Sequence, residues 1–159
     1  MSFEEMFPIY IAVLAVIVAI PVFYRVYNRK KVKDAITRLT SGIEEMPAEE
    51  FIAMRNAREG NRKISNQKDF TGIYIIHNVT KDKYYVGQSK NVLKRVTSHF
   101  GGSGNGDVYA DLKYGDAFTV KTIPLADSGY ANLDALERDT IQTYDAFTHG
   151  YNKNKGNKN

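Results

Sequence analysis

The 159 residues include no cysteine. That excludes a disulfide framework, zinc ribbons and zinc fingers. Histidine is scarce as well. His77, His99 and His149 stand too far apart for a helical HExxH-type site. Positive charge is missing from the first 24 residues, where Glu4 and Glu5 are the only charges. From Ile9 to Tyr24 charge of either sign is missing. Nor is there a strong basic excess, since the formal net charge is +4. Residues 25–69 carry 11 Lys/Arg against 7 Asp/Glu, and residues 70–159 carry 11 against 9. Such a balance is compatible with a polyanionic partner without requiring one. The length allows one compact domain plus an appendage, not two full domains.

The uncharged run reads IYIAVLAVIVAIPVFY. Its sixteen residues span roughly 24 Å as a helix. The hydrocarbon core of a bilayer is about 30 Å, so this is a short span. Phe7 and Pro8 extend it, and Arg25 can snorkel. Tyr10, Tyr24 and Tyr27 sit near its ends, where amphipathic rings favour the interface. A buried core helix, apolar on every face, would need a larger partner than this chain offers. A signal peptide would need a basic start and a small-residue cleavage site, and this sequence has neither. A retained single-pass anchor is therefore expected. Arg25, Arg29, Lys30, Lys31, Lys33 and Arg38 follow the span and no cation precedes it. The positive-inside rule places the N-terminus outside and the rest in the cytoplasm.

Beyond the span, Val32, Ala35, Ile36, Leu39 and Ile43 recur at helical spacing. The spacing predicts a helix to about Ser41, stopped by Gly42. A second helix is expected from Pro47 to Arg58, with Pro47 in its first turn. Gly60 to Asp69 is polar and reads as a linker. The region is expected to be a spacer; the alternative is a self-association helix using the 32/36/39/43 stripe.

Thr71–His77 and Lys83–Gln88 read as two strands joined by the turn Asn78–Asp82, and Ala117–Ile123 as a third strand. Helices are expected from Asn91 (a plausible N-cap) to His99, from Asp107 to Tyr114 and from Tyr130 to about Ala146, with a flexible glycine loop over Gly101–Gly106. Tyr74 shares a strand face with Gly72 and Ile76, and Tyr85 shares one with Gly87. The hairpin can thus bring two phenols onto one surface. Gly87 would let a phosphate approach the backbone. Arg95 and His99 are four apart on one helix face, which Val92 and Val96 anchor to the sheet. Leu133, Leu136, Glu137, Ile141 and Tyr144 follow helical periodicity, so Glu137 lies beside a buried stripe. A carboxylate there is costly unless paired or metal-bound. An ion pair to Arg95 is the structural alternative to a metal.

Gly72-Ile73-Tyr74, ten intervening residues, Tyr85-Val86-Gly87, then Arg95, His99, Glu137 and Tyr151-Asn152 together resemble the signature of GIY-YIG nucleases. The resemblance covers residues 70–152. It implies a small mixed sheet flanked by helices, phosphodiester cleavage, and a divalent cation, Mg²⁺ or Mn²⁺, at Glu137. Tyr74, Tyr85, Arg95, His99 and Glu137 would be the catalytic set, with Tyr85 or Tyr74 acting as or orienting the base. Gly87, Gln88, Lys90, Lys94 and Asn152 would contact substrate. Gln88 stands where some relatives place a lysine, which puts a lysine-assisted base step in doubt; Lys90 or Lys94 is the available substitute.

The expected fold is α+β: a three-stranded sheet flanked by helices, preceded by a transmembrane helix and a helical connector. The expected boundaries are a tail at 1–7, the span at 8–25, the connector and linker at 26–69, the nuclease-like domain at 70–152 and a flexible tail at 153–159. The expected function is a membrane-anchored endonuclease acting on DNA met at the cell envelope, with specificity low or supplied by a partner protein. The rival is a non-catalytic adaptor that binds nucleic acid or protein through the same fold.

Overall fold

The computed structural model describes residues 3–60 and 68–157. Most of the expected linker, residues 61–67, lies outside the described residues. Helix α1 (Phe3–Ser41) runs unbroken through Pro8 and Pro21. It contains a stretch of mean hydropathy 2.6 with none of it buried, long and apolar enough to cross a membrane. Strand β1 (Met46–Pro47) and helix α2 (Ala48–Gly60) follow. Then come β2 (Gly72–Asn78), β3 (Lys83–Ser89), α3 (Val92–Phe100), α4 (Gly106–Lys113), β4 (Phe118–Pro124) and α5 (Leu133–Thr143).

The sheet is antiparallel, in the order β1-β4-β2-β3. Four strands replace the three expected. The extra one comes from the connector, pairing Met46 with Val120 and Pro47 with Thr119. Pro47 is thus an edge-strand residue, and the helix begins after it. Proline is tolerated at an edge because no ladder partner needs its missing N–H. Two residues are too few to show an alternating pattern.

Alternation in β2 divides the core in two. Tyr74 and Ile76 join Ala48, Phe51, Val92, Val96, Phe100, Val108 and Tyr151 on the face covered by α2, α3 and α4. Ile73 and Ile75 join Ile36, Val86, Ile123, Leu136 and Ile141 on the other face. The connector is therefore neither spacer nor self-association surface. Ile36 is fully buried, Leu39 and Ile43 pack beside it, and α1 lies against α5. The candidate span and the folded domain share one continuous helix.

Asn91 occupies the N-cap position of α3 but its side chain makes no cap bond. Asp69 caps the helix instead, accepting from Leu93 N at 2.9 Å and Lys94 N at 3.1 Å. A full carboxylate charge at the positive helix end outcompetes an amide. Asp69→Ala is expected to cost about 1 kcal/mol of stability and Asn91→Ala far less, measured by denaturant unfolding.

Residues 153–157 do not project from the domain. Tyr151 N donates to Tyr84 O at 2.9 Å, which lays the chain along β3. Beyond Asn152 the chain turns back over α5. Gly156 (φ 91°) sits against the Arg138 backbone, and Asn157 Nδ2 reaches Asp134 Oδ1 at 3.3 Å.

Candidate active site

The hairpin register sets Tyr74 opposite Gly87 and Ile76 opposite Tyr85. Both tyrosines therefore lie on the α3 side of the sheet. Their ring centroids are 6.1 Å apart, and the His99 ring stands 5.4 Å from Tyr74 and 4.7 Å from Tyr85. A Cβ at position 87 would collide with the Tyr74 hydroxyl. Glycine is required there because a phenol lies across the strand, a constraint separate from any phosphate approach.

His99 is fully buried. Its Nδ1 accepts from Asn105 N at 2.8 Å, and its Nε2 is 2.8 Å from the Tyr74 hydroxyl. In the neutral ring the proton must then sit on Nε2 and point at Tyr74 Oη. Burial, with Arg95 nearby, pushes the His99 pKa down to about 4. An unfolded histidine takes its proton near 6.5. Between these values the unfolded chain binds a proton that the folded chain refuses. Stability present above pH 6.5 is therefore lost as pH falls toward 4. His99→Gln should remove this share of the pH dependence. Unfolding of wild type and variant across that range checks it.

The glycine loop Gly101–Gly106 has a defined role around this ring. A Cβ at Gly104 would press on the His99 imidazole. Asn105 donates its N–H to His99, caps α4 through Asp107 N and Val108 N, and gives its amide to Tyr151 O at 3.2 Å. Gly104 and Asn105 are not legible as site residues in the sequence, because glycine-rich composition marks a loop without showing what it wraps.

In front of the tyrosines is a cleft of about 340 Å³, lined by Tyr85, Arg95, Asn105, Glu137, Asn152 and Lys153, among others. Tyr85 lies on it; Tyr74, 1% exposed, is sealed behind. Arg95 is exposed at the cleft and lowers the pKa of both phenols, against the larger effect of burial. The Tyr74 hydroxyl also lowers Tyr85, whereas Tyr85 raises Tyr74. Burial still raises both phenols overall, and Tyr85, which Tyr74 and Arg95 both help, is the one whose anion is less disfavoured.

Glu137 is 9% exposed and lines the same cleft. Burial raises its pKa. Its partner is Gln88, whose Nε2 donates to Glu137 Oε2 at 3.0 Å and also to Asp134 Oδ1. Among the described residues no ion pair joins Glu137 to Arg95. Nor do three or more His, Asp or Glu side chains there gather around a metal-sized site.

A family description, the GIY-YIG catalytic domain, matches residues 70–152, more than half of the chain. The chain belongs to the GIY-YIG family. No curated protein and no solved structure matches it. The GIY-YIG family is a nuclease family, and its motif residues converge here on one cleft. Tyr85, Arg95 and Glu137 face it, while Tyr74 and His99 support it from behind. Asn152 also borders it, but both ends of its side-chain amide are engaged by Val86. Val86 N donates to Oδ1 at 2.8 Å, and Nδ2 donates to Val86 O at 2.7 Å. Gln88 stands between two carboxylates, and Lys90 and Lys94 are exposed outside the cleft lining. Lys153, Asn154 and Asn157 line it instead. Nothing in the polar tail sequence distinguishes a segment that folds back from one that does not.

Proposed function

We propose that this GIY-YIG domain is a membrane-anchored, divalent-metal-dependent endonuclease that hydrolyses DNA phosphodiester bonds. The supporting observation is that a phenol, a guanidinium and a buried carboxylate from three separate elements meet on one cleft. An adaptor surface has no use for a desolvated carboxylate on its inner wall.

The residues present fit a magnesium-type cation. Glu137 would hold it, with water and substrate phosphate completing the oxygen shell, since Mg²⁺ needs only one or two protein carboxylates. When bound, it neutralises charge building on the phosphate. Arg95, at the mouth, pairs with the same phosphate through its planar fork. Tyr85 orients the attacking water and, once it has released its own proton to solvent with Arg95 and the bound cation beside it to favour the phenolate, would take the proton of that water. Tyr74 donates its hydroxyl proton toward Tyr85, because its own oxygen accepts from His99 Nε2. His99 stays neutral and holds this order of donors. The apolar part of α1 anchors the enzyme, with the domain in the cytoplasm, so that it meets DNA at the envelope.

Arg95→Ala tests the reading. Cleavage should fall roughly 10²-fold, typical of losing one electrostatic stabiliser, while DNA affinity falls much less. Unchanged turnover, or equal losses in binding and turnover, would move Arg95 from catalysis to simple phosphate attraction.

A further inference from the structure

A second cleft, of about 480 Å³, lies on the α1–α5 side of the domain. Arg29 of α1, Arg138 of α5 and Lys155 of the C-terminal segment line it, so three cations arrive from three parts of the chain. Ile141 and Phe147 give it an apolar wall, and Lys155 Nζ stands 5.4 Å from the centre of the Phe147 ring. The one acid on the cleft, Asp145, is held by His149. The other ion pairs of the described residues form elsewhere, at Lys81, Lys121, Lys153 and His77. The three cations are left to face the cleft.

We propose that this cleft binds the phosphate and glycerol of an anionic membrane lipid from the leaflet that α1 enters. The inference rests on the anchor reading of α1 and is independent of the nuclease chemistry. Position supports it. Arg29 lies five residues past Tyr24, where the apolar run ends, or ~7.5 Å along the helix. A bilayer is about 40–45 Å thick with a core of about 30 Å, so each headgroup layer is roughly 5–7 Å. Arg29 therefore lies at the outer edge of the headgroup layer, and its long side chain can reach back to the phosphates. The burial of Ile36 against α5 fixes the cleft there, because the span and the cleft wall are one helix. Chemistry supports it too. Arginine forks match a phosphodiester, and the Ile141–Phe147 wall suits the glycerol and upper acyl chain, which a free phosphate lacks. The neighbouring Lys30, Lys31 and Lys33 attract any anionic surface without defining a site. A lipid on Lys155 would also steady the segment whose Lys153, Asn154 and Asn157 wall the Glu137 cleft.

The test uses the full-length chain reconstituted into vesicles of phosphatidylcholine, alone or mixed with phosphatidylglycerol. Flotation is read first, then retained lipid by native mass spectrometry after mild detergent extraction. The expected result is flotation with both vesicles and retained phosphatidylglycerol in preference to phosphatidylcholine. Retention should be lost in Arg29→Gln/Arg138→Gln/Lys155→Gln and kept in Lys30→Gln/Lys31→Gln/Lys33→Gln, which removes equal charge. Arg29→Gln alone, on an exposed helix face, should already weaken retention if the triple variant unfolds. Glycerol phosphate in solution should not displace the lipid. Equal loss in both triple variants would overturn the site in favour of diffuse attraction. Displacement by glycerol phosphate would overturn the lipid in favour of a free phosphate ester. Failure to float with either vesicle would overturn the anchor reading and the lipid site with it, and leave cleavage in solution as the separate measure of the nuclease.

Discussion

Replacing Glu137 with alanine is expected to lower magnesium-dependent DNA cleavage by at least about 10³-fold. Fold stability should change little. Glu137 is 9% exposed and its charge is disfavoured by burial, so its removal relieves a desolvated carboxylate. Gln88, its side-chain donor, keeps Asp134 as an acceptor. The Gln88 side chain therefore stays paired, and cleft water can replace the carboxylate at the Gln88 and Asn157 backbone groups that also bond it. Glu137→Gln keeps the shape and the hydrogen-bonding oxygen but loses the charge, and should be nearly as inactive. If Glu137→Gln cleaves at wild-type rate, the carboxylate is a structural partner of Gln88 and the metal lies elsewhere. The measurement is single-turnover plasmid cleavage, with thermal unfolding on the same preparations.

The second large effect separates the two tyrosines. Tyr85→Phe should reduce cleavage by roughly 10²–10⁴-fold, the range for losing a general base. Its stability should stay within about 1 kcal/mol of wild type, since the ring still packs and the cleft can hydrate what the hydroxyl leaves. Tyr74→Phe behaves differently. It deprives the buried His99 Nε2 of its acceptor at 2.8 Å. An unsatisfied buried donor costs about 1–3 kcal/mol, so Tyr74→Phe should lose stability as well as activity. The contrast follows from placement, as Tyr85 lines the cleft and Tyr74 does not. Unfolding and cleavage measured on both variants decide it. A stable, inactive Tyr74→Phe beside an active Tyr85→Phe would reverse the roles.

How far these roles could be read from sequence depended on the range of the interaction. The alternation of Tyr74 with Ile73 and Ile75 and the Leu133/Leu136/Ile141 stripe are local patterns, and the structure follows them. Glu137 at the edge of that stripe was legible for the same reason. The partner of the Ile36/Leu39 stripe was not, because periodicity shows that a face is buried without showing against what. Asp69 escaped notice as a cap because it lies 24 residues before Leu93, held there by tertiary folding. Pro47 followed the rule for helix starts, but an edge of β4 was available to pair with it. The choice of Gln88 over Arg95 as the partner of Glu137 depends on how α5 sits over β3, which one-dimensional spacing does not encode.

The most direct test of the central claim is to titrate Mg²⁺ into the purified full-length chain and plasmid DNA, starting in EDTA, and follow binding and cleavage together. Binding should persist in EDTA, while cleavage should be absent there and appear as Mg²⁺ is added. Cleavage at the same rate in EDTA, or bound DNA left intact at every Mg²⁺ concentration, would contradict a metal-dependent nuclease centred on Glu137.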